Sequence, residues 1–121
     1  MPRIIHFEFS VDNVERAIKF YDSVFGWKTR KSTVPDYWVI DTGTETQPDV
    51  GGGIYLRKDA PASIIHTVQI ESVDDSIKKI TKNGGKVIKP RETIPGVSYF
   101  AYCQDTEGNI FGIMQRDPAA K

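Results

Sequence analysis

At 121 residues the chain has the length of one domain with a real core, and its 39% apolar and 26% charged content is ordinary for a globular protein. Sixteen basic and sixteen acidic residues cancel, which argues against a nucleic-acid or anionic-membrane surface. No apolar run approaches the ~20 residues that span a bilayer, and with one cysteine and no signal peptide at its start the chain is expected in a reducing cytoplasm.

The first predicted element is an alternating strand, Ile5-His6-Phe7-Glu8-Phe9. A helix follows. Asp12 or Asn13 can cap it, and Glu15 stands three after Asp12, as a capping box requires. Val14, Ala17, Ile18, Tyr21, Val24 and Phe25 form one apolar stripe, and Gly26 stops the helix. Lys28, Arg30 and Lys31 read as a solvated strand edge. Tyr37-Trp38-Val39-Ile40 is a strand, residues 42–50 a loop, and Gly52 to Arg57 another strand. Gly51-Gly52-Gly53 lacks the Lys-Ser/Thr of a phosphate loop and reads as a close backbone approach or a bulge.

Residues 58–62 read as a linker, after which the pattern returns. Ile65 to Ile70 is a strand, Ser72 caps a helix striped by Val73, Ile77 and Ile80, and Asn83-Gly84-Gly85 stops it. Lys86 to Lys89 is a short strand and Pro90 to Gly96 a loop. Tyr99 to Gln104 and Asn109 to Gln115 are strands joined by the turn Asp105-Thr106-Glu107-Gly108. Asp117 to Lys121 is expected to fray. Residues 7–26 slide onto residues 66–85 without a gap, so the chain holds one unit twice. Each half is a strand, a helix, then three strands. The expected division is module one 1–57, linker 58–62, module two 63–116 and tail 117–121.

Strand alternation sets the faces. Phe7, Phe9 and Val11 belong to the helix side, and His6, Glu8 and Ser10 to the opposite side. The gapless repeat pairs His6, Glu8 and Ser10 with Ile65, Thr67 and Gln69, which leaves His66, Val68 and Ile70 toward the helix. A one-residue slip or bulge would turn His66 over. His6 and Glu8 stand two apart, about 6.6 Å by strand rise. They can touch one bound molecule and serve as an acid–base pair. The plainer readings are a His6 that hydrogen-bonds a neighbour and a Glu8 that is hydrated or ion-paired at a rim. Cys103, with no basic neighbour in sequence, reads as a buried strand residue.

The run His6-Phe-Glu-Phe-Ser-Val-Asp, with Glu15-Arg-Ala-Ile-Lys-Phe-Tyr-Asp-Ser-Val-Phe-Gly-Trp27, resembles the first module of the vicinal oxygen chelate superfamily. This is the glyoxalase I, bleomycin-resistance and extradiol-dioxygenase group. Gly84-Gly85-Lys86-Val87 and Tyr102-Cys-Gln-Asp-Thr-Glu-Gly-Asn-Ile-Phe-Gly112 resemble its second module, closest to the lactoylglutathione lyase-related branch. The resemblance implies an α+β fold of two paired βαβββ modules whose sheets curl into a cup. It also implies a homodimer, with exchange of modules between subunits left open.

In metal-using members the ligands come from the first and last strands of each module. His6 falls on the first ligand position, Tyr55 where a carboxylate is common, and Gly112 where a second carboxylate usually sits. By family register Tyr55 and Met114 line the cup, with Trp38 and Phe100 as further wall candidates beside Thr67 and Gln69. The expected function is a cup that takes a small organic ligand without a catalytic metal. The alternative is a metal-dependent lyase, isomerase or dioxygenase that uses His6, Glu8 and, by a slip, His66 to hold Zn, Ni, Mn or Fe. Glyoxalase I activity itself is not expected, because the carboxylates it would use are missing.

Overall fold

The computed structural model describes residues 2–43, 50–58 and 63–121. It divides into an N-terminal unit, His6–Ile64, and a C-terminal unit formed by Ile65–Lys121 with Met1–Ile5. Most of the loop expected over 42–50 and of the linker expected over 58–62 lies outside the described residues.

The N-terminal unit contains β1 (Arg3–Val11) from His6 onward, α1 (Val14–Phe25), β2 (Lys28–Lys31), β3 (Tyr37–Asp41) and β4 (Gly51–Leu56). Its strands lie in the order β2-β3-β4-β1, with β1 parallel to β4 and the other pairs antiparallel. Asn13 caps α1: its side chain accepts the Arg16 amide at 3.0 Å. Asp12 is taken up by Arg57 at 3.0 Å instead, so the capping box drawn from Asp12 and Glu15 does not form. At the other end Gly26 adopts φ 75°, a left-handed position that a side chain resists, and its amide returns to Asp22 O at 2.8 Å. The side of β1 that carries Phe9 packs on rings from α1 and its exit: Phe9 on Tyr21 at 5.3 Å between centroids, and Tyr21 on Trp27 at 5.4 Å.

The C-terminal unit repeats the plan with β5 (Ile64–Gln69), α2 (Val73–Lys82), β6 (Lys86–Ile94), β7 (Ser98–Gln104) and β8 (Ile110–Arg116). The strand order is β5-β8-β7-β6, again with one parallel pair, β5 with β8. Ser72 caps α2 by accepting the Asp75 amide at 3.2 Å, and Gln115 Oε1 accepts the Val73 amide at 3.0 Å. The Ser72 cap falls in gapless register with Asn13. Val73, Ala101, Cys103 and Ile113 form the buried core, with Ile70, Ile77, Ile80, Val87, Tyr99 and Phe111 packed against it. Burying a Val or Ile side chain stabilises by about 1.5–3 kcal/mol, so this cluster anchors helix to sheet.

Two expectations fail here. β6 runs on through Pro90 to Ile94. Pro90 is tolerated because β6 is an edge strand and its register shifts between Lys89 and Glu92, where no ladder amide is needed. The tail does not fray: Gly96 N donates to Ala120 O at 2.9 Å, Asp117 N to Val97 O at 2.9 Å, and Ala120 is 5% exposed.

Candidate functional site

On the β1 face turned away from α1 stand His6, Glu8 and Ser10, and burial separates them from ordinary surface residues: Glu8 is 5% exposed and Ser10 7%. Glu8 is therefore not a hydrated rim carboxylate. His6 Nε2 lies 2.6 Å from the hydroxyl of Tyr37, a residue from β3 whose own cross-strand partner is Tyr55 on β4. To reach β1, the Tyr37 side chain must cross β4, and it does so over Gly53, which is paired with Glu8. A Cβ on Gly53 would collide with the phenol hydroxyl and would stand 2.7 Å from ring Cε1. The glycine expected to permit a close approach thus admits a ring. On the other face a Cβ on Gly52 would stand 2.6 Å from Phe7 Cζ.

Burial pushes the His6 imidazole below its ordinary value, so the ring is neutral near pH 7. Burial, then the Glu8 charge and then Tyr55 push the Tyr37 phenol far up, so it keeps its proton. The face therefore presents a neutral imidazole, a protonated phenol and the Glu8 carboxyl group within one sheet. At the far end of the row Arg57 fixes Ser10: Nε donates to Ser10 Oγ at 3.1 Å and a terminal nitrogen to Ser10 O at 3.0 Å. Tyr55 pairs its hydroxyl with Ser63 Oγ at 2.6 Å.

Trp38 follows Tyr37 on β3, pairs with Ile54 and lies under the Lys31 ammonium at 4.8 Å. Alternation places it on the helix side of the sheet, away from His6, and the expectation that it shares a wall with Tyr55 fails. In the C-terminal unit Thr67 pairs with Gly112, Gln69 with Met114, and Phe100 with Met114. These residues share the face opposite the core. His66 alternates to the other side of β5 and is exposed, so no slip has occurred. Thr67 is 5% exposed and leans over Gly112, where a Cβ would meet its Oγ1 at 2.8 Å.

Tyr37 is among the aromatics on the strands expected to build the cup, but the sequence does not single it out as a site candidate. It was legible as a strand aromatic, and its alternation against Trp38 and Ile40 gives its face. Only the path over Gly53 shows its reach.

Metal ligation needs three or four His, Cys or carboxylate groups around one point. Among the described residues no cluster of three or more His, Cys, Asp or Glu could hold an ion. His6 Nε2 is engaged by Tyr37, and Tyr55 and Gly112 stand where the family resemblance implies carboxylates. On this face of the N-terminal unit His6 and Glu8 alone fall short of that number.

Paired βαβββ modules with a polar cluster on the sheet face away from the helix define a class of small α+β domains. Residues 3–113 match the model of the Glyoxalase/Bleomycin resistance protein/Dioxygenase superfamily, and the chain belongs to that family. A glyoxylase-like domain-containing protein of Didymella fabae is 30% identical over 115 residues, 90% of each chain. The solved methylmalonyl-CoA epimerase of Mycobacterium tuberculosis is similar in fold, with TM-score 0.68 at 11% identity over 95% of this chain and 88% of that one. The Mn(II)-bound glyoxalase of Novosphingobium aromaticivorans gives TM-score 0.65 at 18% identity, over 99% of this chain but 41% of that one. Among the described residues no helix is long and apolar enough to cross a membrane.

Proposed function

We propose that the chain binds a small organic ligand on the sheet face of the N-terminal unit that carries His6, Glu8, Tyr37 and Tyr55, and that it does so without a catalytic metal. The observation that carries this reading is the buried Glu8 beside the 2.6 Å His6–Tyr37 contact, on the face not used for packing against α1. A buried carboxylate beside a neutral imidazole suits hydrogen-bond donors on a ligand, and the tyrosine rings suit a planar one. Thr67, Gln69, Phe100 and Met114 stand on the equivalent face of the C-terminal unit and are that unit's own candidate ligand contacts. If chemistry occurs, Glu8 is the candidate proton acceptor and His6 its partner. The protein is proposed to act as a homodimer in the cytoplasm.

The second reading is a metal-dependent lyase, isomerase or dioxygenase built on His6 and Glu8. It is favoured by the likeness to a Mn(II)-bound glyoxalase. Elemental mass spectrometry after exposure to Ni, Zn, Mn or Fe(II) separates the two readings. Near one metal per chain, lost in His6→Ala, would overturn the metal-free reading. With metal at background, a thermal-shift screen follows. A stabilising compound whose effect is lost in His6→Ala supports the proposed face, and one whose effect is unchanged there removes His6 from it. Light scattering tests the dimer.

A further inference from the structure

We propose that Tyr37 is a positioning residue for His6: its phenol donates to Nε2, holds the imidazole in its Nδ1–H tautomer, and leaves that Nδ1–H as the donor a ligand meets. The inference deepens the ligand-site reading and rests on it for its functional consequence. It rests on geometry for its structural content.

The contact is short, 2.6 Å between oxygen and nitrogen, and joins residues from β3 and β1, which are separated by β4. A side chain spans that gap only if the intervening strand presents no Cβ, and Gly53 presents none where the phenol passes. The imidazole and phenol rings are held 22° from coplanar at 6.4 Å between centroids. One phenol has one proton to give. An imidazole nitrogen lone pair is a better acceptor than a phenol oxygen, so the phenol keeps the proton and donates it to Nε2. Once Nε2 accepts, neutral imidazole must carry its own proton on Nδ1.

The test is a long-range proton–nitrogen correlation spectrum of the full, ligand-free chain labelled with nitrogen-15, at a pH where both histidines are neutral. The chain has only His6 and His66, and His66→Gln assigns them. The expected result is a pure Nδ1–H pattern for His6 beside an averaged pattern for exposed His66. In Tyr37→Phe, which keeps the ring and removes the hydroxyl, the His6 pattern is expected to collapse toward that of His66. Gly53→Ala, which blocks the path of the phenol, is expected to do the same. An Nε2–H pattern in the wild type overturns the proposal, as does a wild-type pattern that persists in Tyr37→Phe. Should that variant fail to fold, the wild-type spectrum alone decides the tautomer. No ligand enters the experiment, so its failure is distinct from failure of the ligand reading.

Discussion

Gly112→Ala should destabilise the protein in the wild-type background and stabilise it when Thr67 is alanine. The new Cβ would stand 2.8 Å from Thr67 Oγ1, where ordinary contact begins near 3.4 Å, so the hydroxyl must retreat by about 0.6 Å. Thr67 is 5% exposed and cannot swing into solvent. Overpacking of this kind costs about 1–3 kcal/mol, while replacing glycine by alanine within a strand returns about 0.5–1 kcal/mol. The net effect is a loss of roughly 1 kcal/mol. In Thr67→Ala the nearest remaining atom is the residue 67 Cβ at 3.5 Å, an ordinary contact, and only the gain of about 0.5–1 kcal/mol survives. Urea titration of the four proteins of the cycle yields the coupling directly, with unchanged slope m as the check that each unfolds alike. A Gly112→Ala effect of the same sign and size in both backgrounds would refute the steric argument.

Three further outcomes follow from single contacts. Gly26→Val should lower stability by about 1–2 kcal/mol, or the melting temperature by several degrees, from left-handed strain alone, because nothing lies within 4 Å of the added Cβ; an unchanged melting temperature refutes the cap. Ser98 is fully buried and its hydroxyl is the one buried side-chain polar atom among the described residues without a hydrogen-bond partner. Ser98→Ala should therefore stabilise by about 1 kcal/mol in urea titration, and a loss would show that the hydroxyl is satisfied. The side-chain and backbone hydrogen bonds from Asn109, with those of Glu107 and Gly108, hold the Asp105 carboxyl below its ordinary 3.8. A depressed folded value means that its contribution is full above that ordinary value and is lost as pH falls through the folded one. The melting-temperature gap between wild type and Asp105→Asn should be constant near neutrality and close in acid; a gap that persists below the folded value would contradict this.

The parts legible in the sequence were those fixed locally. Ser72 reads as a cap from its neighbours alone, and Phe9, opposite the helix stripe, gives the faces of β1. The gapless repeat then carried those faces to β5 and left His66 outside, as the register confirms. The misses are decided at a distance. Whether Asp12 or Asn13 caps α1 depends on Arg57, which is remote in sequence and holds Asp12. Pro90 marks a loop in isolation, yet the bulged edge of a sheet accommodates it. The tail is ordered by Gly96 and Val97, whose pairing with it no local pattern announces. Trp38 is a wall candidate from its place on a cup-building strand, yet its neighbour Tyr37, on the opposite face, is the one that meets His6.

Gly53 and Gly112 show the same device on the same kind of face. Each withholds a Cβ so that a neighbouring strand's side chain can lie over the sheet: Tyr37 in one unit, Thr67 in the other. At Gly112 this is where the resemblance implies a ligating carboxylate. Installing that carboxylate by Gly112→Asp would drive its Cβ into the buried Thr67 hydroxyl. Fold membership constrains the scaffold, whereas the reaction depends on which side chains the neighbouring strands admit. In this chain they admit a phenol against an imidazole and a hydroxyl against a glycine.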